Sequence, residues 1–180
     1  MSNSSRQKDD VMRVTFTRTG ERRYRVSVEG TGIVSSHMEP AAGYDARLPH
    51  DMAHFVVEND LGIMGGVFGQ LASGGHAHSF RPDDGQKNSR AEKRGDRVSA
   101  ESRKDAEMSE RVIDIAFHSW TRRPYSGAPV KGVSAEDIAR ICREFDAVSA
   151  VWSKLKVGES MTLVWTGQKG RSNTASQRKR

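Results

Sequence analysis

Apolar and polar residues alternate along three stretches of the chain, at positions 12–16, 24–28 and 161–165. Alternation with a period of two predicts β-strands that bury one face and expose the other. The first two stretches are separated by a short segment that contains Gly20, a residue suited to a tight turn. We therefore predict a hairpin near the start of the chain and one further strand near its end.

Apolar residues recur every three or four positions in parts of the region between these strands, a spacing typical of amphipathic helices. The clearest example covers 134–155, where Ser134 followed by Asp137 matches a capping box with Asp in place of the usual Glu or Gln. Apolar spacing together with start and stop residues predicts further helices at 49–61, 63–72 and 99–120. The segment 30–48 contains glycines and a proline and is predicted to be a loop with an extended piece at 33–34.

These elements predict an α+β domain, in which a three-stranded antiparallel sheet is covered by three to four helices. The sheet would consist of the N-terminal hairpin and the C-terminal strand. A single domain is expected over 11–166, with a mobile polar insert at 81–97. The polar segments 1–10 and 167–180 are predicted to be a disordered N-terminus and a disordered basic tail.

The net charge of +6 on 180 residues belongs mainly to this tail. The tail contains five basic residues and no acidic residue: Lys169, Arg171, Arg178, Lys179 and Arg180. Such a tail predicts weak, salt-sensitive contact with polyanions, so a nucleic-acid-associated protein is one alternative function. The basic residues of the hairpin, such as Arg13 and Arg25, lack the exposed aromatic platform on which single-stranded nucleic acids stack.

The chain has one cysteine, Cys142, which excludes an internal disulfide framework and a cysteine-based zinc knuckle. Cys142 lies on the apolar face of the predicted helix 134–155, so we expect it to be buried and unreactive. The first ten residues lack the apolar core of a signal peptide, and no run approaches the roughly 20 apolar residues that span a bilayer. We therefore expect a cytoplasmic protein without a membrane partner.

Two histidines that are four positions apart form the main candidate site, within the predicted helix 49–61. His50 and His54 would be separated by roughly 40° around the helix axis, so both imidazoles can share a divalent metal such as zinc. Glu58 continues the same row and is the candidate third ligand. Asp51 is a candidate general base, as the glutamate is in the H-E-x-x-H pattern.

Other interpretations of these residues are open. The polar side chains of the helix can instead hydrogen-bond neighbouring loops without any metal. His76 and His78 form a second candidate pair of metal ligands, since alternate residues of an extended segment point the same way. A joint metal site of both histidine pairs is a further alternative. The glycine-rich stretch 62–69 does not match a phosphate-binding loop, and no Lys or Arg occurs over 48–80.

Three motifs resemble those of a family of small bacterial hypothetical proteins with an LPHDxxHFVVE-type motif. They are LPHDMAHFVVENDLG at 48–62, AFHSW at 116–120 and KVGESMTLVW at 156–165. The resemblance covers 11–165 and implies a bacterial, cytoplasmic protein with one domain. It implies no activity and assigns no functional residue.

Three functions follow from these observations as hypotheses. The first is a small binding or accessory domain without catalysis, whose ligand contacts the helix face of His50, His54 and Glu58. The second is a metal-dependent, hydrolase-like enzyme that uses the two histidines as metal ligands and Asp51 as a base. The third is the nucleic-acid-associated protein, which would act through its basic tail.

Overall fold

The computed structural model describes residues 11–85 and 103–167, together with the backbone of Ser176–Arg178. The strands are β1 (Arg13–Gly20), β2 (Arg23–Glu29), β3 (Ser36–Met38), β4 (Arg81–Pro82), β5 (Ser160–Val164) and β6 (Ser176–Arg178). They form one sheet in the order β4-β3-β2-β1-β5-β6, and all the strand pairs are antiparallel. The predicted three-stranded core of this sheet, β2-β1-β5, is confirmed.

Four helices are found in the described part of the chain. They are α1 (His50–Leu61), α2 (Val67–Ala72), α3 (Arg103–Trp120) and α4 (Ala135–Trp152). Helix α1 contacts each of the other three helices, so it lies at the centre of the helical layer. The α+β class is therefore confirmed, with helices covering an antiparallel sheet that the N-terminal hairpin and the C-terminal strand build.

The apolar face of the sheet is set by the register of its central strands. Phe16 of β1 lies opposite Val26 of β2 and Met161 of β5, and all three side chains are fully buried. Aligned apolar residues on three strands make a continuous surface, because side chains on one face of a sheet repeat every second residue. This row confirms the faces expected from the alternating pattern.

Aromatic rings join the helical layer to this face. The ring of Phe55 in α1 packs edge-on against Phe16, with ring centroids 6.5 Å apart. Trp152 of α4 packs edge-on against Tyr24 of β2 at 5.8 Å. Edge-to-face pairs at these separations add to the free energy gained from burying apolar surface, which locks α1 and α4 onto the sheet.

The start of α4 and the end of α1 have the caps that the sequence indicates. Ser134 accepts the backbone N–H of Asp137, and the Asp137 carboxylate accepts the backbone N–H of Ser134, so both halves of the capping box are present. Helix α1 ends at Gly62, whose φ of 66° is the left-handed conformation that favours glycine. These caps fix where α4 begins and where α1 ends.

The segments between the predicted elements differ from expectation in two places. The loop 30–48 contains β3 at Ser36–Met38, and residues 33–34, expected to be extended, are not part of a strand. Residues 81–82, placed in the mobile insert, form β4 beside β3. Such short edge strands are defined by pairing with a neighbour, and their own sequence has no period of two long enough to detect.

The predictions for 1–10 and for most of the insert and of the tail fall on residues outside those described, so they stay predictions. The shorter helix α2 begins at Val67, later than the predicted 63.

Within the described residues, no helix combines the length and the apolar character that a membrane span requires.

Candidate metal centre

The first turn of α1 brings two imidazole rings together. His50 is the first residue of α1, and its backbone N–H donates to the carbonyl of Gly43, which has a φ of 68°. His54 follows one turn later, and the two ring centroids are 4.6 Å apart. His50 is exposed, whereas His54 is only 8% exposed. The prediction that these histidines share a helix face is therefore confirmed.

Helix α3 adds a carboxylate to this pair. Glu110 Oε1 lies 3.4 Å from His54 Nε2. One ligand atom each from His50, His54 and Glu110 can be chosen so that all lie within 4.8 Å of one another. No sequence signal marks Glu110, since it lies in the charged half of α3 and reaches the histidines only because α1 and α3 pack together.

The other ring nitrogen of His54 faces the interior. His54 Nδ1 lies 3.4 Å from Glu58 Oε1 and 3.4 Å from the hydroxyl of Ser109. The Ser109 hydroxyl also donates to Glu58 Oε1, at 3.3 Å. A carboxylate at one imidazole nitrogen orients the ring and leaves the other nitrogen available for a ligand. His54 is therefore held with Nε2 facing Glu110.

Glu58 has a different place from the one expected of a third ligand. It is completely buried, and its carboxylate accepts the backbone N–H groups of Val67 at 3.1 Å and of Phe68 at 2.8 Å, with Gly69 at 3.4 Å. These amides open α2, where a negative charge is favoured. Glu58 thus lies behind His54, and Glu110 occupies the third position of the cluster.

Gly66 provides the space for this carboxylate. A Cβ atom at Gly66 would lie 2.1 Å from the carboxyl carbon of Glu58, a separation that no pair of non-bonded atoms tolerates. The glycine-rich stretch after α1 therefore admits a buried acid close to a helix N-terminus. It has a packing role, in agreement with the absence of a phosphate-loop pattern.

Asp51 lies beside the two histidines, but its carboxylate has a partner of its own. The Tyr24 hydroxyl donates to Asp51 Oδ2 and ties the start of α1 to β2. Burial raises the pKa of Asp51, although the Tyr24 hydrogen bond and the charges of His54 and His50 act to lower it. Burial and the Asp51 carboxylate also raise the pKa of Tyr24. The hydrogen bond from Tyr24 gives Asp51 a structural role, the attachment of the start of α1 to β2.

The charge around His54 is predominantly negative. Burial alone would lower the pKa of His54, but the hydrogen bond to Glu58 and the charges of Glu58, Glu110 and Asp51 together raise it. A site that favours a proton on an imidazole also favours another cation there, because the same carboxylates attract both.

The second histidine pair is separate from this cluster. His76 and His78 have ring centroids 6.3 Å apart. In the described part of the chain, neither belongs to a set of three histidine, cysteine or carboxylate side chains able to share an ion. The structure thus does not bring the second pair together with the first.

Cys142 is half-buried, and its thiol contacts the carbonyl of Ala116 at 3.5 Å. Burial raises the pKa of this thiol, which keeps it in the weakly nucleophilic protonated form. The position is more exposed than the helical pattern suggests, but the expected lack of reactivity agrees with its surroundings.

Of the five basic residues in the tail, only the backbone of Arg178 belongs to the described part of the chain.

A cavity of about 540 Å³ adjoins the cluster. His50 and Glu110 form part of its wall, next to side chains from α1, α3 and the loop that precedes α1. A group bound by the cluster would therefore be accessible from a space large enough for a small organic molecule.

Comparisons of the chain with known protein families, with curated proteins and with solved structures found no match. The family resemblance of the three motifs therefore stays a prediction, and the geometry of the site is what supports a function.

Proposed function

We propose that this domain binds a divalent transition metal, with zinc as the best fit, through His50, His54 and Glu110. The observation that carries the proposal is the convergence of two imidazoles and one carboxylate from two helices, with ligand atoms within 4.8 Å of one another. Two histidines and a carboxylate are a ligand set that zinc uses where a fourth position is left for water or substrate.

The spacing of the ligand atoms agrees with such a metal. Ligands about 2.0–2.1 Å from a tetrahedral zinc ion are about 3.4 Å from one another. His54 Nε2 and Glu110 Oε1 are separated by 3.4 Å, so this pair already has the spacing of two zinc ligands. The third ligand, His50, is exposed, and its ligand atom already lies within 4.8 Å of the other two.

The supporting residues strengthen this interpretation. Histidine ligands commonly donate their second ring N–H to a carboxylate, which fixes the tautomer and increases the basicity of the ligating nitrogen. Glu58 holds that place behind His54, and the α2 amides and Ser109 in turn hold Glu58. Calcium and magnesium fit less well, because they prefer sites built mainly from oxygen.

Metal binding by the purified protein tests the proposal. The full chain is stripped with a chelator, and zinc binding is then measured by isothermal titration with a competing chelator of known affinity. We expect about one zinc per chain, and binding weakened by about tenfold or more in His54→Gln and Glu110→Gln. Glu107→Gln is the matched control, since Glu107 is an exposed acid one turn earlier on α3.

Wild-type affinity in both ligand variants would overturn the assignment of the site, as would the absence of zinc binding by a folded wild-type chain. Circular dichroism of each variant identifies any loss of binding that comes from unfolding.

A further inference from the structure

We infer that the cavity beside the cluster binds a small organic molecule with an apolar, neutral or cationic body, whose donor group completes the coordination of the metal. The inference rests on the proposed metal site and adds the chemical class of its ligand. Its basis is the composition of the cavity wall, which is independent of the spacing that supports the metal.

The cavity and the cluster share two side chains. His50 and Glu110 line the cavity, and they are the two exposed members of the cluster. An ion held by His50, His54 and Glu110 would therefore lie at the wall of the cavity. A volume of about 540 Å³ is within the range typical of small-molecule sites.

The wall is largely apolar. Leu48, just before α1, and Ala53, near the start of α1, contribute aliphatic surface. Ile113 and Phe117 contribute apolar surface from successive turns of α3. Leu48, Ala53 and Ile113 are themselves buried, so this side of the cavity is part of the hydrophobic core. Binding of an aromatic or aliphatic group there would transfer its apolar surface from water to an apolar environment, which is favourable.

The charges of the wall select against anions. Outside the proposed metal site, Asp45 and Asp114 line the cavity, and no lysine or arginine belongs to the lining. Two arginines from adjacent segments have partners of their own. Arg47 lies over the Trp120 ring at 4.4 Å. Arg18 donates to the Leu155 carbonyl at 2.7 Å and to the hydroxyl of Tyr44, a residue of the wall, at 2.8 Å.

Of these two carboxylates, Asp114 lies 3.1 Å from His118 Nδ1. A phosphate or carboxylate group placed away from the metal would thus face these carboxylates with no lysine or arginine in the lining. An amine would be attracted to them, and a neutral polar group would not be repelled.

Three hydroxamates that present the same metal-binding group test this inference on cobalt-loaded protein. They are acetohydroxamate, phenylacetohydroxamate and 4-carboxyphenylacetohydroxamate. Binding is read from the visible absorption of Co²⁺, which changes when its coordination changes. We expect the phenyl compound to bind about tenfold or more tightly than acetohydroxamate, because the ring is buried. The added carboxylate should remove most of that gain.

Variants of α3 locate the ring. Phe117→Ala should reduce the advantage of the phenyl compound by about threefold or more and leave acetohydroxamate binding unchanged. Ile115→Ala is the control, since Ile115 is an apolar residue of α3 that lines a different cavity. The comparison of three ligands on the wild type needs no variant, so it holds even where Phe117→Ala perturbs the fold.

The outcomes separate the two proposals. A folded chain that does not bind Co²⁺ contradicts the metal site itself. Co²⁺ binding with equal affinity for the three hydroxamates, or with the carboxylate compound the tightest, leaves the metal site standing and overturns the ligand class. An equal effect of Phe117→Ala and Ile115→Ala overturns the location.

Discussion

Glu58 lies one helical turn after His54, and its Oε1 atom is 3.4 Å from His54 Nδ1. The same carboxylate accepts backbone N–H groups at the start of α2. The buried Glu58 carboxylate therefore has two roles: it orients a candidate metal ligand, and it attaches α2 to α1. This dual role has consequences for both stability and metal binding.

We expect Glu58→Gln to lower both the free energy of unfolding and the affinity for zinc. The amide removes the charge and places an NH₂ group where the carboxylate faces backbone donors, at a cost of about 2–4 kcal/mol for unsatisfied buried groups. Loss of the orienting carboxylate should weaken zinc binding by about 10–100-fold. Urea unfolding of the metal-free chain and zinc titration measure the two effects.

Ser109→Ala is the graded comparison, because it removes one donor to Glu58 and keeps the carboxylate. Its expected cost is about 1 kcal/mol, with a smaller change in zinc affinity. Zinc affinity unchanged in Glu58→Gln would contradict the orienting role even if stability falls.

Gly66→Ala should displace the Glu58 carboxylate, since a Cβ there would overlap its carboxyl carbon. Overpacking of this kind costs about 1–3 kcal/mol, and zinc binding should weaken with it because His54 loses its partner. Gly20→Ala is a suitable control: a Cβ at that strand position meets Arg23 at an ordinary 3.4 Å. Equal stability of the two variants, determined by urea unfolding, would show that the close approach at Gly66 is absent.

Arg140→Met should destabilise the attachment of α4 to α1. Arg140 makes two contacts of 2.8 Å with the Asp60 carboxylate, which is only 4% exposed, and one of 2.6 Å with Asp137. Removing the guanidinium leaves a buried carboxylate without its cation. Because Arg140 is itself partly exposed, the expected cost is about 1–3 kcal/mol, below the value for a fully buried pair.

Arg143→Met, a change at an exposed position of the same helix, should alter stability by less than about 0.5 kcal/mol in the same thermal or urea unfolding measurement. A loss at Arg140 no larger than the loss at Arg143 would mean that the Asp60 pair contributes nothing to the fold.

The charge on His54 makes stability and metal affinity respond to pH in opposite directions. Burial lowers its pKa, but Glu58, Glu110 and Asp51 raise it above the ordinary value of about 6.5. In the metal-free chain the protonated imidazole therefore stabilises the fold. That contribution is complete below about pH 6.5 and is lost as the pH rises through the folded-state pKa.

Zinc affinity should rise over the same interval, because a proton and the metal compete for the imidazole. Melting temperatures of wild type and His54→Gln, measured with chelator between pH 6 and 9, isolate the His54 contribution. A constant difference between the two proteins across that range would rule out the raised pKa.

Much of the framework could be predicted from the sequence, since it depends on local patterns. Alternation over 12–16, 24–28 and 161–165 marks the central strands, and the Ser134–Asp137 box marks the start of α4. The pairing of His50 with His54 follows from helix geometry alone, because residues four apart share a face.

The remaining features depend on which elements become neighbours. Strand β3 is defined by its pairing with β2 and β4, and β4 by its pairing with β3. Short segments of this kind have no periodicity of their own. Asp51 has the spacing of a catalytic base in sequence, but its contact with Tyr24 arises only because the fold brings the start of α1 beside β2.

The sequence by itself determined the α+β class, the central strands and the two histidines, since each rests on a period of 2.0 or 3.6 residues. The tertiary structure decided which carboxylate accompanies them. Packing of α1 against α3 places Glu110 at His54 Nε2, while the backbone donors that open α2 hold Glu58 behind Nδ1. The four-residue spacing indicated that Glu58 lies near His54. The hydrogen bonds from the backbone at the start of α2 determined on which side of the His54 ring Glu58 lies.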